Sequence, residues 1–327
     1  MSYPAQYPGP RPMDVGQILS RVLSLVRANL RVFVGMAAVP PVVIYGLLAM
    51  MAAAVLIPMF GRLHEPPTPQ LVMKILLVVA PLAILVFVLY WLAFAVYLAA
   101  GSHAAVQADC GVPVTFSGSY GVAINRAGRY FFLLLIIYAI CFFPALFIQL
   151  AMAALMGLSA LNKTQPNPFL FLMFPFGVFS QMALMVAGFV IGLRFSLAFP
   201  ASVMENLPAI EALKRSNVLT RGARLKIFLA LLVIYAATYA AMLILMGVTV
   251  FVVAIGLFAV LGLHLHFSAP VLVVLAIVAG AGFMALMVLF MACSWAGFTT
   301  ALCVIYNDQR QWIDLARTEG PPAGVSA

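Results

Sequence analysis

The stretch "GLRFSLAFPASVMENLPAIEALKRS", Gly192–Ser216, decides how the chain is built. An apolar run carries one arginine, Arg194, passes Pro200 and ends at an acid, Glu205. A turn and a proline follow, then a charged helical pattern that holds Lys214 and Arg215. The same joint occurs upstream. There the apolar run ends at Asp109, "DCGVP" replaces "ENLP", and the next basic stretch holds Arg126 and Arg129. The last apolar run ends at a third acid, Asp308.

Working outward, six apolar runs fall at about 32–59, 71–102, 130–157, 169–203, 227–262 and 270–305. Each exceeds the roughly 18 residues that mark a spanning helix. Of 327 residues, 66% are hydrophobic and 8% charged. A soluble domain carries about 25% charged residues, so this chain lacks the polar surface to cover a water-soluble core. Short, sparsely charged loops alternate with long basic segments: "DVGQILSRVLSLVRANLRVF" (14–33), "TFSGSYGVAINRAGRYFF" (115–132) and "PAIEALKRSNVLTRGARLKIF" (208–228). The pattern predicts an all-α polytopic membrane protein of six transmembrane helices. These form three repeats, each an amphipathic basic helix plus a helical hairpin, at about 14–109, 113–205 and 208–308. A Pro-rich disordered tail (1–13) precedes the membrane domain (14–310), and a cytoplasmic tail (311–327) follows it.

Local signals refine this. Val15, Ile18, Leu19, Val22 and Val26 keep helical spacing on one side of the first basic helix. Asp14 and Gln17 are spaced as a capping box. In the second, Phe116, Tyr120, Ala123 and Ala127 keep the spacing despite three glycines that lower helix propensity. Pro208 suits a first helical turn. Arginines gather before the odd-numbered spans: Arg27 and Arg31, Arg126 and Arg129, Arg221 and Arg224. The positive-inside rule then places the basic helices and both termini in the cytoplasm, with the protein in the inner (plasma) membrane.

Arg194 lies 25 residues beyond Phe169, about 37 Å of helix against a hydrocarbon core of about 30 Å. It lies 11 residues before Glu205, about 16 Å. The two distances agree if one helix continues past the lipid to Glu205. Arg194 is then expected to snorkel to the polar layer or to pair with an acid of a neighbouring repeat. The alternative is contact with a substrate or a lipid headgroup.

Catalytic motifs are missing: there is no G-x-S-x-G, no H-E-x-x-H and no phosphate-binding glycine loop. His64, His264 and His266 read as loop histidines without a metal, and His103 with Asp109 reads as a surface pair. Cys110, Cys141, Cys293 and Cys303 read as small hydrophobes. Small residues four apart, Ala276–Gly280 and Ala281–Ala285, permit close helix approach. Trp91 and Trp295 read as span residues packed near other spans. No cofactor is expected. Nucleic acid is not expected either, because no dense basic patch with stacking aromatics is present.

These segments, with "ALCVIYNDQRQWIDLARTEG" (301–320), resemble the membrane domain found in some bacterial glycerophosphodiester phosphodiesterases and in similar stand-alone membrane proteins. The resemblance covers about residues 14–320. It rests on Glu205, on Arg215–Ser216 with Leu219 to Gly222, and on Tyr306, Asp308, Arg310, Glu319 and Gly320. Gln311 and Trp312 interrupt the basic pattern that usually follows. In the two-domain relatives the phosphodiester chemistry belongs to a separate soluble barrel. The sequence ends at Ala327, without the roughly 250 residues of such a barrel. The resemblance therefore implies the fold and not the enzyme activity. The expectation is a non-enzymatic protein that binds membrane lipid, anionic lipid in particular, or a protein partner at the cytoplasmic face. The candidate polar or lipid contacts are Arg194, Glu205, Arg215, Arg129, Arg224 and Asp308. The alternative is a transporter or permease for a small or amphiphilic solute.

Overall fold

The structure, a computed structural model, describes residues 12–60, 69–161, 168–262 and 269–318. The proline-rich start, His64, His264, His266, Glu319 and Gly320 lie outside the described residues. Among the described residues every element is a helix: α1 (Val15–Ala28), α2 (Leu30–Phe60), α3 (Pro69–Asp109), α4 (Phe116–Ile124), α5 (Ala127–Leu161), α6 (Pro168–Phe195), α7 (Ala198–Met204), α8 (Ala209–Leu219), α9 (Arg224–Gly262) and α10 (Ala269–Thr318). Six stretches are long and apolar enough to cross a membrane, in α2, α3, α5, α6 with α7, α9 and α10.

The long helices pack as hairpins, α2 on α3, α5 on α6 and α9 on α10. α3 and α10 are the inner helices: α10 lies along both α2 and α3, and α3 also meets α4, α5 and α7. Small side chains allow this approach. Ala95, Ala99, Ala100, Ala104 and Ala105 of α3 are buried, as are Ala292, Ala296 and Ala301 of α10. In a bilayer such dispersion contacts replace the hydrophobic drive available in water. Aromatic contacts join further helices as the sequence predicts, Trp91 to Tyr138 at 4.1 Å and Trp295 to Phe94 at 4.9 Å between ring centroids.

Three short helices lie at the charged end of the bundle. α1 opens with the predicted capping box: Gln17 N–H donates to Asp14 Oδ1 at 2.7 Å, and Asp14 N–H donates to Gln17 Oε1 at 3.0 Å. Its buried stripe is Ile18, Val22 and Leu25, with Val26 only half-buried, and it rests on α10 and α9. α4 rests on α3 and α2. Its Tyr120 is buried and donates to the Met36 carbonyl at 2.9 Å, whereas Phe116 is exposed. Burial raises the Tyr120 phenol above its ordinary range. The second basic segment is not one helix to Arg129, because a turn at Asn125 and Arg126 separates α4 from α5. α8 buries Ala209, Ala212, Leu213, Ser216 and Leu219 and rests on α5, α6 and α7. Pro208 is its N-cap, one position earlier than a first-turn placement.

The expected continuous helix from Arg194 to Glu205 is absent. α6 stops at Phe195 and α7 starts at Ala198, so the distance measured along one helix does not apply. Pro200 lies in the first turn of α7, where its missing N–H is tolerated, and its ring crowds the carbonyl of Ser196 four residues back, which fits a break at Ser196 and Leu197. A break leaves backbone groups without helical partners, and these must be satisfied where they are buried. Ser216 of α8 does most of this, and Thr220 Oγ1 also reaches the Arg194 carbonyl at 3.4 Å. The Ser216 hydroxyl donates to the Arg194 carbonyl at 2.8 Å and accepts from Leu197 N–H at 3.2 Å.

Candidate functional site

The three acids that close the even-numbered runs are each held by several donors. Asp109 accepts from Arg21 Nε at 2.9 Å and from Asn307 Nδ2 at 2.8 Å, while Arg21 Nη2 reaches its carbonyl at 3.0 Å. Glu205 accepts from Arg215 Nε at 3.0 Å and from the Tyr306 hydroxyl at 2.9 Å. Asp308 accepts from Lys226 Nζ at 2.9 Å, Gln309 Nε2 at 3.1 Å and the backbone N–H of Met13 at 2.9 Å. Tyr306, Asn307, Asp308 and Gln309 are consecutive and buried on α10. One turn and a little more of helix therefore takes part in all three acid clusters. Charge-assisted bonds of this kind are the stronger class.

The turn after Glu205 is held from α5 and from the turn before it. Asn206 adopts a φ of 54°, a left-handed conformation that costs most residues about 1–2 kcal/mol. Arg126 donates to Asn206 Oδ1, and Arg129 donates to the same oxygen at 2.8 Å and to the Ser202 carbonyl at 3.2 Å. Asn206→Ala is expected to lose both the arginine contacts and the tolerance of positive φ, and Asn206→Gly only the contacts. Thermal unfolding in detergent should show the alanine variant lower than the glycine variant. Equal midpoints would mean that backbone conformation contributes nothing there.

Of the predicted contacts, Glu205 and Arg215 meet each other, and Asp308 and Arg129 bind other protein groups. Arg224 Nη2 lies 3.5 Å from Asn217 Oδ1, with its Nε buried and unbonded. Arg194 is exposed, and among the described residues no carboxylate reaches it. His103 does not pair with Asp109; its Nε2 lies 3.2 Å from Gln107 Nε2. Among the described residues nothing lies within 4 Å of where a Cβ at Gly280 would sit. The thiol of Cys110 is pushed up by burial and then by the neighbouring Asp109, the opposite of an activated thiolate. Among the described residues no group of His, Cys, Asp and Glu is arranged to hold a metal.

A cavity of about 860 Å³ lies deeper, bounded by α3, α5, α6, α7, α9 and α10. Its wall is mostly aromatic and aliphatic, and no Asp, Glu, Lys, Arg or His lines it. Sequence reasoning missed it because it is a space between helices drawn from all three hairpins, far apart in the chain. Comparison of the chain with protein-family models, with curated proteins and with solved structures finds no match.

Proposed function

We propose that the chain is a non-catalytic inner-membrane protein whose cytoplasmic face binds anionic lipid. On this reading it consists of three copies of a surface helix followed by a helical hairpin, with both termini cytoplasmic, as in the membrane domain it resembles. The seating of the short helices supports the repeat. α4 rests on the first hairpin, α8 on the second and α1 on the third, so each copy leans on the copy before it and the first closes on the last.

The observation that carries the lipid reading is the division of charge at that face. The three span-end acids are engaged within the protein. Arg27, Arg31, Arg194, Lys214 and Arg221 are exposed and have no carboxylate partner among the described residues. Helix geometry turns Arg194 away from the cavity, since it is 200° around α6 from Gly192, a cavity residue. It therefore belongs with the outward-facing cations. Each cation near an anionic leaflet contributes roughly 1 kcal/mol.

The test is native mass spectrometry of the protein released from nanodiscs of equal phosphatidylglycerol and phosphatidylethanolamine. The wild type is expected to retain phosphatidylglycerol in excess, and the variant with all five cations changed to Gln to retain the bulk ratio. Equal retention of both lipids by the wild type would overturn the reading and leave a protein partner for this face. The alternative of a transporter or permease draws on the cavity.

A further inference from the structure

The cavity calls for an occupant, and its position, lining and opening select one. The position follows from counting along the helices. On α10 it runs from Leu302 to Phe290, which are 6 and 18 residues before Asp308, or about 9 to 27 Å along a helix. On α9 it runs from Phe228 to Met242, which are 4 and 18 residues after Arg224, or about 6 to 27 Å. The acids and basic helices form a polar layer at one end of the spans. The cavity thus begins just inside that layer and reaches about the middle of the bundle. One leaflet's hydrocarbon is about 15 Å deep, half of the bilayer core. The cavity, about 18 to 21 Å long, spans one leaflet's depth and a few Å more.

Its lining is that of a hydrocarbon site. Tyr97, Tyr138, Phe189, Tyr235 and Trp295 contribute rings. Several hydroxyls are already engaged: Ser102 with the Leu98 carbonyl at 2.6 Å, Ser294 with the Phe290 carbonyl at 2.8 Å, and Tyr97 with Thr299 at 3.0 Å. An ion would lose its hydration there without charged groups to replace it. A tail made of CH₂ groups has no such requirement.

The opening faces the bilayer. The three hairpins meet at three seams. α10 lies along α2, and α3 packs on α5, but α6 and α9 touch only over a short stretch that includes Phe189 and Phe228, at 5.9 Å between centroids. The cavity lies behind this third seam. Phe189, Tyr235 and Tyr239, which line it, are at least half exposed, at 51%, 69% and 51%, so the space is not sealed at this seam. Lipid is the medium that this side meets.

We infer that the cavity between α5–α6 and α9–α10 takes the acyl chain of a bilayer lipid, entering sideways between α6 and α9 from the leaflet nearest the polar layer. At about 860 Å³ it lies within the range of roughly 300–1,000 Å³ typical of specific ligand sites. The inference does not depend on the anionic preference of the charged face, because an apolar wall reads the tail and not the headgroup. It narrows the transport alternative to amphiphiles and disfavours small hydrophilic solutes.

The experiment uses the full chain in nanodiscs with a trace of phosphatidylcholine that bears a photoactivatable diazirine midway along one acyl chain. Adducts are mapped by mass spectrometry after irradiation. Labelling is expected to concentrate on the cavity segments of α3, α6, α9 and α10, about tenfold above the exposed residues Leu77, Val78, Ile84, Leu85 and Phe87. Thr238→Trp should lower the cavity adducts about fivefold and spare the outer ones, with Thr238→Leu as a milder filling that disturbs packing less. Even labelling of all outer faces in the wild type would overturn the inference, whatever the variants do. So would unchanged cavity labelling in both fillings. A parallel arm with diazirine-bearing palmitic acid separates the sources: cavity labelling by the free acid alone would exclude bilayer lipid as the occupant. The probe carries no net charge, so failure of the anionic-face reading leaves this test intact.

Discussion

Arg21→Ala is expected to destabilise the protein by about 3 kcal/mol, the lower end of what removing one partner of a buried ion pair costs. Asp109 has 1% of its side chain exposed and Arg21 40%. The variant leaves a carboxylate in the interior without its guanidinium, while Asn307 still donates to one oxygen. Solvent at the arginine end screens part of the interaction, so the upper end of the range is not reached. The double variant Arg21→Ala with Asp109→Asn removes the charge itself and is expected to recover most of the loss. Reversible unfolding in mixed micelles, arranged as a double-mutant cycle, reads the difference. Equal destabilisation of the single and double variants would mean that lost packing of the arginine stem, and not the stranded charge, is responsible.

What was legible in the sequence is what acts over short distances or by composition. The capping box at Asp14 and Gln17 joins residues three apart, and it appears in the structure with both bonds formed. The six apolar helices follow from composition alone. The acids were also visible, because each ends an apolar run. Their partners were not. Arg21 and Asp109 are 88 residues apart, Tyr306 and Glu205 are 101, and Met13 and Asp308 are 295. No local pattern encodes such pairings; they follow from the way the hairpins and short helices close on one another.

The break after Arg194 shows the same limit. Pro200 is the one local signal for an interruption and acts four residues back, at Ser196, but it does not tell a kink from a full break. The break falls at Ser196 and Leu197, where Ser216 on a later helix supplies the missing hydrogen bonds. Sequence reasoning therefore assigned Arg194 to a continuous helix, with its side chain either snorkelling or paired with an acid. The structure breaks the helix there, engages the Arg194 carbonyl and leaves the guanidinium exposed. The cavity was less legible still. It depends on which of three seams stays open, and that is a property of helix placement and not of any residue's chemistry.

Small residues give the second large effect, at a position that spacing did not select. Gly280 belongs to a pair four apart, yet among the described residues a Cβ there would meet nothing within 4 Å. At Gly188 a Cβ would come within 2.1 Å of the Cys141 carbonyl oxygen. Here α6 crosses α5 backbone to backbone, and Cys141 is buried beneath it. A methyl group at Gly188 must drive the two helices apart, because a backbone carbonyl cannot swing away as a side chain can. Gly188→Ala is expected to cost about 3 kcal/mol, the upper end of the usual penalty for overpacking. Gly280→Ala should be neutral to within about 0.5 kcal/mol, as is usual for a substitution that touches nothing. The α5–α6 hairpin forms one wall of the cavity, so separating its helices should also widen the space that the acyl chain occupies. Gly188→Ala is therefore expected to loosen the diazirine-lipid labelling pattern along α6, and Gly280→Ala to leave it unchanged. If both glycine variants unfold at the same midpoint as the wild type, the close crossing of α5 and α6 is wrong, and with it the shape assigned to that wall.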